Sequence, residues 1–266
     1  MKILALVKQV PGTSEVFIDP ERGTLVREGV PAKTNPYDLH ALEAALQTRD
    51  TLRAAGYPSA VTVVSMGPPQ AEAVIRESYW MGADDGILLT DRAFAGADTL
   101  ATAFALSQAA RKSGFDLIIA GMQSTDGDTA QVGPGVAEFL GIPHVSYVRS
   151  VNRVGPGSIE VTADLGDRYL TQEISFPCLI TVTPELNQPR LPSLRTRKET
   201  MARTVAVVRP GDLPPAGEKH YGLSGSPTRV ERVFPPKIER VQEMWEGPAA
   251  ELANRLAALL NEVLSP

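Results

Sequence analysis

The sequence predicts a doubly wound α/β fold: a mostly parallel sheet with helices on both faces, extended by a hairpin and followed by a long C-terminal arm. Three observations carry this. Over residues 1–143, short apolar runs alternate with stretches of helical period, the signature of parallel strands joined by crossover helices. Residues 158–174 switch to alternation around a turn, as an antiparallel hairpin requires. From Pro184 onward Pro, Gly and polar residues dominate until a last amphipathic stretch.

In chain order, Ile3–Val7 is a continuous apolar run and reads as a buried strand. Residues 17–30 hold turn-rich, alternating sequence that predicts a small hairpin. In Asn35-Pro36-Tyr37-Asp38, Asn35 suits an N-cap, Pro36 the first helical position and Asp38 the first turn. Ala60–Ser65 is the next strand, and a helix follows from about Gln70 to Met81. Ile87–Thr90 is a short strand, and a helix ends near Lys112 after the loop Asp91–Thr99. Asp116–Ala120 and His144–Val148 are further strands, and Cys178–Val182 is another, beyond the hairpin. Trp245, Leu252, Leu256, Leu259 and Leu260 suggest a C-terminal amphipathic helix. The domain reading is therefore a nucleotide-binding α/β domain over 1–183, a loop over 184–200 and an arm over 201–266.

The stretch Gly121–Pro134 organises the rest. It follows an apolar strand and precedes Val132, Val136, Phe139 and Leu140, one face of a helix. Thr129 or Asp128 is placed to cap that helix. Its first N–H groups then point out from the carboxyl edge of the sheet, where an anionic phosphate binds without a basic side chain. Read alone, the segment is either such a site or an ordinary capped loop. Asp126 and Asp128 would repel a phosphate if they faced it. One is expected to cap the helix, the other to accept from ribose hydroxyls or backbone N–H groups. Gly127 and Gly133 remove side chains where ligand or backbone must come close. Right-handed crossovers bring four turns, Lys8–Gly12, Ser65–Pro69, Asp91–Asp98 and Gln123–Thr129, to the same edge. Lys8 and Arg92 are the basic groups nearest it. Gly-x-Gly-x-x-Gly after the first strand and a Gly-Lys-Ser/Thr phosphate loop are both missing from the sequence.

Composition narrows the chemistry. With 266 residues, 43% hydrophobic, the chain can build a sizeable core. A net charge of −5 argues against nucleic-acid binding. The lone cysteine, Cys178, allows no internal disulfide and sits in a strand as an inert thiol. His40, His144 and His220 do not pair at metal spacing, so no metal is expected. Catalytic side chains are not expected either: there is a binding edge without an acid–base engine, and a bound cofactor would carry the chemistry. The apolar runs are too short to span a membrane. The N-terminal run is broken too early for a signal peptide, so a cytoplasmic protein is expected.

Val7-Lys8-Gln9-Val10-Pro11, Asn35-Pro36-Tyr37-Asp38, Ser65-Met66-Gly67-Pro68-Pro69-Gln70, Met81-Gly82-Ala83-Asp84, Asp126-Gly127-Asp128-Thr129-Ala130-Gln131-Val132-Gly133-Pro134 and Leu186-Asn187-Gln188-Pro189-Arg190 together resemble the β subunits of electron-transfer flavoproteins, in order and over nearly the whole chain. The resemblance implies a Rossmann-like adenine-nucleotide domain paired with an α subunit that carries a redox FAD. It implies a pocket from Leu6, Lys8, Asn35, Pro36, Tyr37, Asp38, Ser65, Met66, Gly67, Asp126, Gly127, Asp128, Thr129, Ala130, Gln131, Val132 and Gly133, reaching Arg92, Asp98 and Thr99. It also implies a recognition loop whose leucine, Leu194 by position, with Leu191 beside it, anchors a partner dehydrogenase. The arm would pack on the α subunit. The segments 86–99 and 222–228 resemble the electron-bifurcating group. They favour FAD here, reduced by NADH, with electrons parting to ferredoxin or flavodoxin and to the α-subunit FAD. Arg92 is then a candidate tuner of the flavin. The alternative is AMP, in a subunit passing electrons from acyl-CoA-type dehydrogenases towards the quinone pool. A non-redox adenine-nucleotide sensor is a third reading.

Overall fold

A computed structural model describes residues 1–12, 32–215, 217–231 and 242–264. The hairpin expected over 17–30 lies outside the described residues.

The strands β1 (Lys2–Leu6), β4 (Ala60–Met66), β5 (Asp85–Leu89), β6 (Leu117–Gly121), β7 (His144–Val154), β8 (Ser158–Asp164), β9 (Tyr169–Ser175), β10 (Cys178–Val182) and β11 (Ala206–Val208) form one sheet in the order β11-β5-β4-β1-β6-β10-β7-β8-β9. All neighbours from β11 to β7 pair in parallel; β8 and β9 are antiparallel. A separate antiparallel pair joins β2 (Gln9–Pro11) to β3 (Ala32–Thr34).

The period-2 alternation of side chains explains the continuous apolar strands. Along β1, Ile3 and Ala5 enter the core beneath α1 (Pro36–Ala54) and α2 (Glu72–Met81). Leu4 and Leu6 enter the core beneath α3 (Thr99–Ser113) and α4 (Val132–Leu140). Ile3–Leu6 are therefore all buried, on one face or the other, as the sequence reading expects.

The winding direction reverses between β1 and β6. From β1 the chain winds to β4 and β5 on one side, then crosses to β6 on the other. In open α/β sheets such a switch point opens a crevice at the carboxyl ends of the strands. The turns after β1, β4, β5 and β6 all lie on that edge. The β7–β8–β9 wing stands above it. Val148 is level with Val182 and Gly121, and β7 runs on to Val154, about 20 Å further at strand rise. The expected fifth strand, His144–Val148, is thus less than half of the real one.

The arm also differs from expectation. Ala206–Val208 is the outer strand of the sheet, and Tyr221 is buried against Phe94 and Phe104. Contacts divide the chain between Glu231 and Arg232 rather than at 201. In the second unit, α6 (Ala249–Leu264) carries Leu252, Leu256, Leu259, Leu260 and Val263 on one stripe. Trp245 precedes that helix, its ring under the Arg255 guanidinium at 4.3 Å. Among the described residues, no helix is long and apolar enough to cross a membrane. Cys178 is fully buried, which pushes its thiol up to about 12.

Candidate functional site

Lys8, just past β1, reaches across the switch point. Its Nζ lies 2.6 Å from Asp126 Oδ1 and 3.4 Å from Ser124 Oγ. Burial alone would raise the Asp126 carboxyl, but hydrogen bonds from Lys8 and Ser124 outweigh it and hold the group below the usual carboxylate range. Asp126 therefore neither caps a helix nor repels an incoming phosphate uncompensated; Lys8 neutralises it.

The helix after this loop starts two residues later than a Thr129 cap would require. Gln131 occupies the N-cap position, and no side chain accepts from the first turn. Asp128 accepts instead from Gln123 Nε2 at 3.1 Å. The expected side-chain cap is replaced by backbone geometry. Asp128 and Ala130 sit in the left-handed region, at φ 48° and 55°. Gln131 is right-handed. A left–right succession turns consecutive N–H groups to one side, making an anion-binding nest. Among the described residues, the N–H groups of Gly127, Thr129, Ala130, Gln131 and Val132 have no acceptor. Two left-handed non-glycine residues cost about 1–2 kcal/mol each, strain of a kind that clusters at ligand sites.

Asn35 does not cap α1 with its side chain. Its amide bridges instead to the loop after β6, Nδ2 donating to Gln123 O at 2.8 Å and Oδ1 accepting from Thr125 N at 3.2 Å. Asp38 is buried at the same junction and accepts from Lys8 N at 2.7 Å. Burial pushes its carboxyl up to about 7, against the lowering effect of Asn35, Lys8 and Gly121. Tyr37 and Pro36 open α1 beside it, and Gly121 lies against both Tyr37 and Asp38. At Gly133 a Cβ would land on Thr181 Cγ2, so only glycine lets α4 approach β10 this closely.

Leu6 and Ser65 form a floor under the edge: Ser65 is 0% exposed, and its hydroxyl has no partner among the described residues. Met66 and Gly67 are half-buried at its rim.

Asp98 is occupied by the protein itself. Oδ1 caps α3 through Leu100 N and Ala101 N, both at 3.0 Å. Oδ2 takes Thr228 Oγ1 at 2.8 Å, and Asp98 N donates to Ser226 Oγ at 2.8 Å. This predicted ligand residue therefore caps a helix and fastens the 222–228 strap to the turn after β5. Thr99 Oγ1 meets Gln131 Oε1 at 3.3 Å, joining the starts of α3 and α4. Arg92 is exposed on that turn and, among the described residues, forms no ion pair. Asp98→Ala should cost about 1–2 kcal/mol for the lost cap. Thermal melting would measure it, together with faster proteolysis after Arg229 as the strap loosens.

A profile of the electron transfer flavoprotein domain matches residues 22–213. The electron transfer flavoprotein subunit beta of Thermoanaerobacterium thermosaccharolyticum is 46% identical over 98% of both chains. The chain belongs to the electron-transfer flavoprotein β-subunit family. Its relatives include the caffeyl-CoA reductase-Etf complex subunit CarD of Acetobacterium woodii, 42% identical over 98% of both chains. Protein FixA of Sinorhizobium fredii is 40% identical over 97% of this chain and 94% of that one. A β subunit of this family works in a heterodimer, so its partner is an α subunit.

The two leucines expected to anchor a partner are exposed, Leu191 at 87% and Leu194 at 84%. Leu194 begins the short helix α5 (Leu194–Thr200), capped by Ser193 Oγ accepting from Thr196 N at 3.0 Å, where sequence predicted loop. Sequence reasoning placed Gly121, Gln123 and Ser124 in the organising stretch but assigned none of them a role of its own. Their roles rest on contacts between distant segments, which no local pattern announces.

Proposed function

We propose that this β subunit holds FAD across the edge described above and takes hydride from NADH. Its electrons would then part between ferredoxin or flavodoxin and the α-subunit FAD that serves a partner dehydrogenase, with the complex in the cytoplasm. The observation that carries the reading is the nest over Asp128–Val132, with its unanswered N–H groups at the switch point. Those groups would cradle the phosphates. Beneath them the Ser65 hydroxyl is buried without a partner among the described residues, a state that costs about 1–3 kcal/mol.

FAD suits the length of the edge. From β6 to β5 it spans three strand spacings, about 14 Å, and Asp98 pins the strap beside the far turn. AMP would need only the switch-point end. Arg92 would place a positive charge near the flavin ring and so favour added electron density there. The name of the caffeyl-CoA reductase-Etf relative supports a complex with an acyl-CoA-type oxidoreductase. When bound, FAD supplies two-electron oxidation and one-electron release; the chain's residues bind, orient and neutralise. The exposed Leu191 and Leu194 would dock the dehydrogenase, and the apolar stripe of α6 would pack on the α subunit.

Purification of the heterodimer and extraction of its cofactors is the test. Two FAD per heterodimer, with both bleached by NADH, is the expected result. One FAD and one AMP would replace bifurcation by simple transfer from acyl-CoA-type dehydrogenases towards the quinone pool. A chain that stays monomeric beside its α subunit and binds ATP would make it a sensor.

A further inference from the structure

The loop bearing Leu191 and Leu194 is clamped at both ends, and the clamps lie on helices that otherwise serve the core. At the first end, Arg190 forks onto Glu43 of α1. Nε donates to Oε2 at 2.8 Å, Nη2 to Oε1 at 3.1 Å, and Arg190 N to Oε2 at 3.1 Å. The Glu43 side chain is only 5% exposed and that of Arg190 36%, so this is a charge-assisted bidentate pair whose carboxylate end is shielded from water. His40, one turn earlier on α1, meets Asn187 O at 3.0 Å, and Asn187 Nδ2 donates back to His40 O at 3.0 Å. At the second end the Trp80 carbonyl of α2 accepts from Ser193 N at 3.4 Å and from the Thr196 hydroxyl. The Arg197 guanidinium lies 4.6 Å from the Trp80 ring centre. Between the clamps stand Leu191, Pro192 and Leu194, with the proline restricting the backbone further.

The geometry points to Glu43 as a positioning residue for partner docking. Through Arg190 it holds Leu191 and Leu194 in their presented arrangement before a partner arrives. This rests on the reading that these leucines dock a dehydrogenase. Two exposed leucines on a free loop would lose conformational entropy on docking; on a clamped loop that loss is already made, and affinity rises accordingly.

The test uses the αβ heterodimer and, as probe, an acyl-CoA dehydrogenase that turns over with the wild-type heterodimer. Glu43→Gln keeps the side-chain volume and removes the charge. It should raise the KM for the heterodimer about five- to tenfold, leave kcat within about twofold and leave cofactor content unchanged. Arg190→Lys keeps the charge but loses the fork, and should fall between Glu43→Gln and wild type. Amide exchange over residues 188–196 should quicken in step with KM. Leu191→Ala and Leu194→Ala separate the two ideas. If they leave KM unchanged, the docking reading falls and the positioning role with it. If they raise KM while Glu43→Gln does not, only the positioning role falls. Faster exchange in Glu43→Gln without a KM change would reduce the clamp to a structural contact. Loss of cofactor or kcat alongside KM would also overturn the inference.

Discussion

Gly121→Ala should empty the proposed nucleotide site and lower the melting temperature by several degrees. Gly121 ends β6 at the switch point. A Cβ there would strike Asp38 Oδ1 and lie 2.8 Å from the Tyr37 carbonyl carbon and from Tyr37 Cβ. The nearest groups are the first turn of α1 and a buried carboxyl, and neither is the free end of a flexible side chain. The helix start must move, and forcing extra volume into a packed junction costs about 1–3 kcal/mol. For a unit of this size each kcal/mol shifts melting by about 2–4 °C. The functional loss should exceed the loss of stability. Asn35 at the helix start holds Gln123 O and Thr125 N, and Asp38 holds Lys8 N. A displaced α1 therefore moves both lips of the crevice, the Lys8 turn and the loop that leads into the nest. Cofactor analysis of the purified heterodimer against a melting curve checks this. Full cofactor content with an unchanged melting temperature would show that the junction yields without consequence.

The same junction shows what could and could not be read from the sequence. The parallel core was legible because double burial writes itself as continuous apolar runs, such as Ile118-Ile119 and Val63-Val64. The order of the turns followed from crossover handedness. The loop after β6 stood out in the sequence as a helix start with a side-chain cap, and the structure builds that start differently. Local rules assign Asp128 or Thr129 to a cap because those residue types favour caps. The structure instead bends Asp128 and Ala130 into left-handed conformations and leaves the backbone N–H groups free. Nothing about alanine advertises that conformation; it is imposed by tertiary contacts such as Lys8 with Asp126 and Asn35 with Thr125. The bonds that Asp98 makes within the chain were illegible for the complementary reason. Its partners, Ser226 and Thr228, lie some 130 residues away. The edge strand Ala206–Val208 was also missed, since three residues in a Pro- and Gly-rich region give too short a pattern to register.

Asp38→Asn should change how stability depends on pH more than any surface substitution. In the parent, burial raises the Asp38 carboxyl from 3.8 to about 7. Between those values the folded chain holds a proton that the unfolded chain has released. Stability then falls as pH rises through the window, because the folded state binds more protons. A shift of that size corresponds to about 4 kcal/mol as an upper figure. Above pH 7 the slope from this group vanishes, since both states are ionised. Asparagine is neutral throughout, so the variant lacks the slope. Its oxygen still accepts from Lys8 N, but its NH2 group replaces an acceptor near Gly121 N–H, which takes back part of the gain. The expected result is a variant no more stable than the parent at pH 5 and more stable at pH 8, measured by melting at both values. Parallel pH profiles would mean that Asp38 is ionised in the folded chain at all these pH values. The near-neutral value also bears on binding. A fully charged carboxylate under this crevice would oppose a phosphate at the nest, and one half-protonated near pH 7 opposes it less. Asp38→Asn should therefore hold an adenine nucleotide at pH 8 at least as well as the parent does, provided that α1 keeps its position.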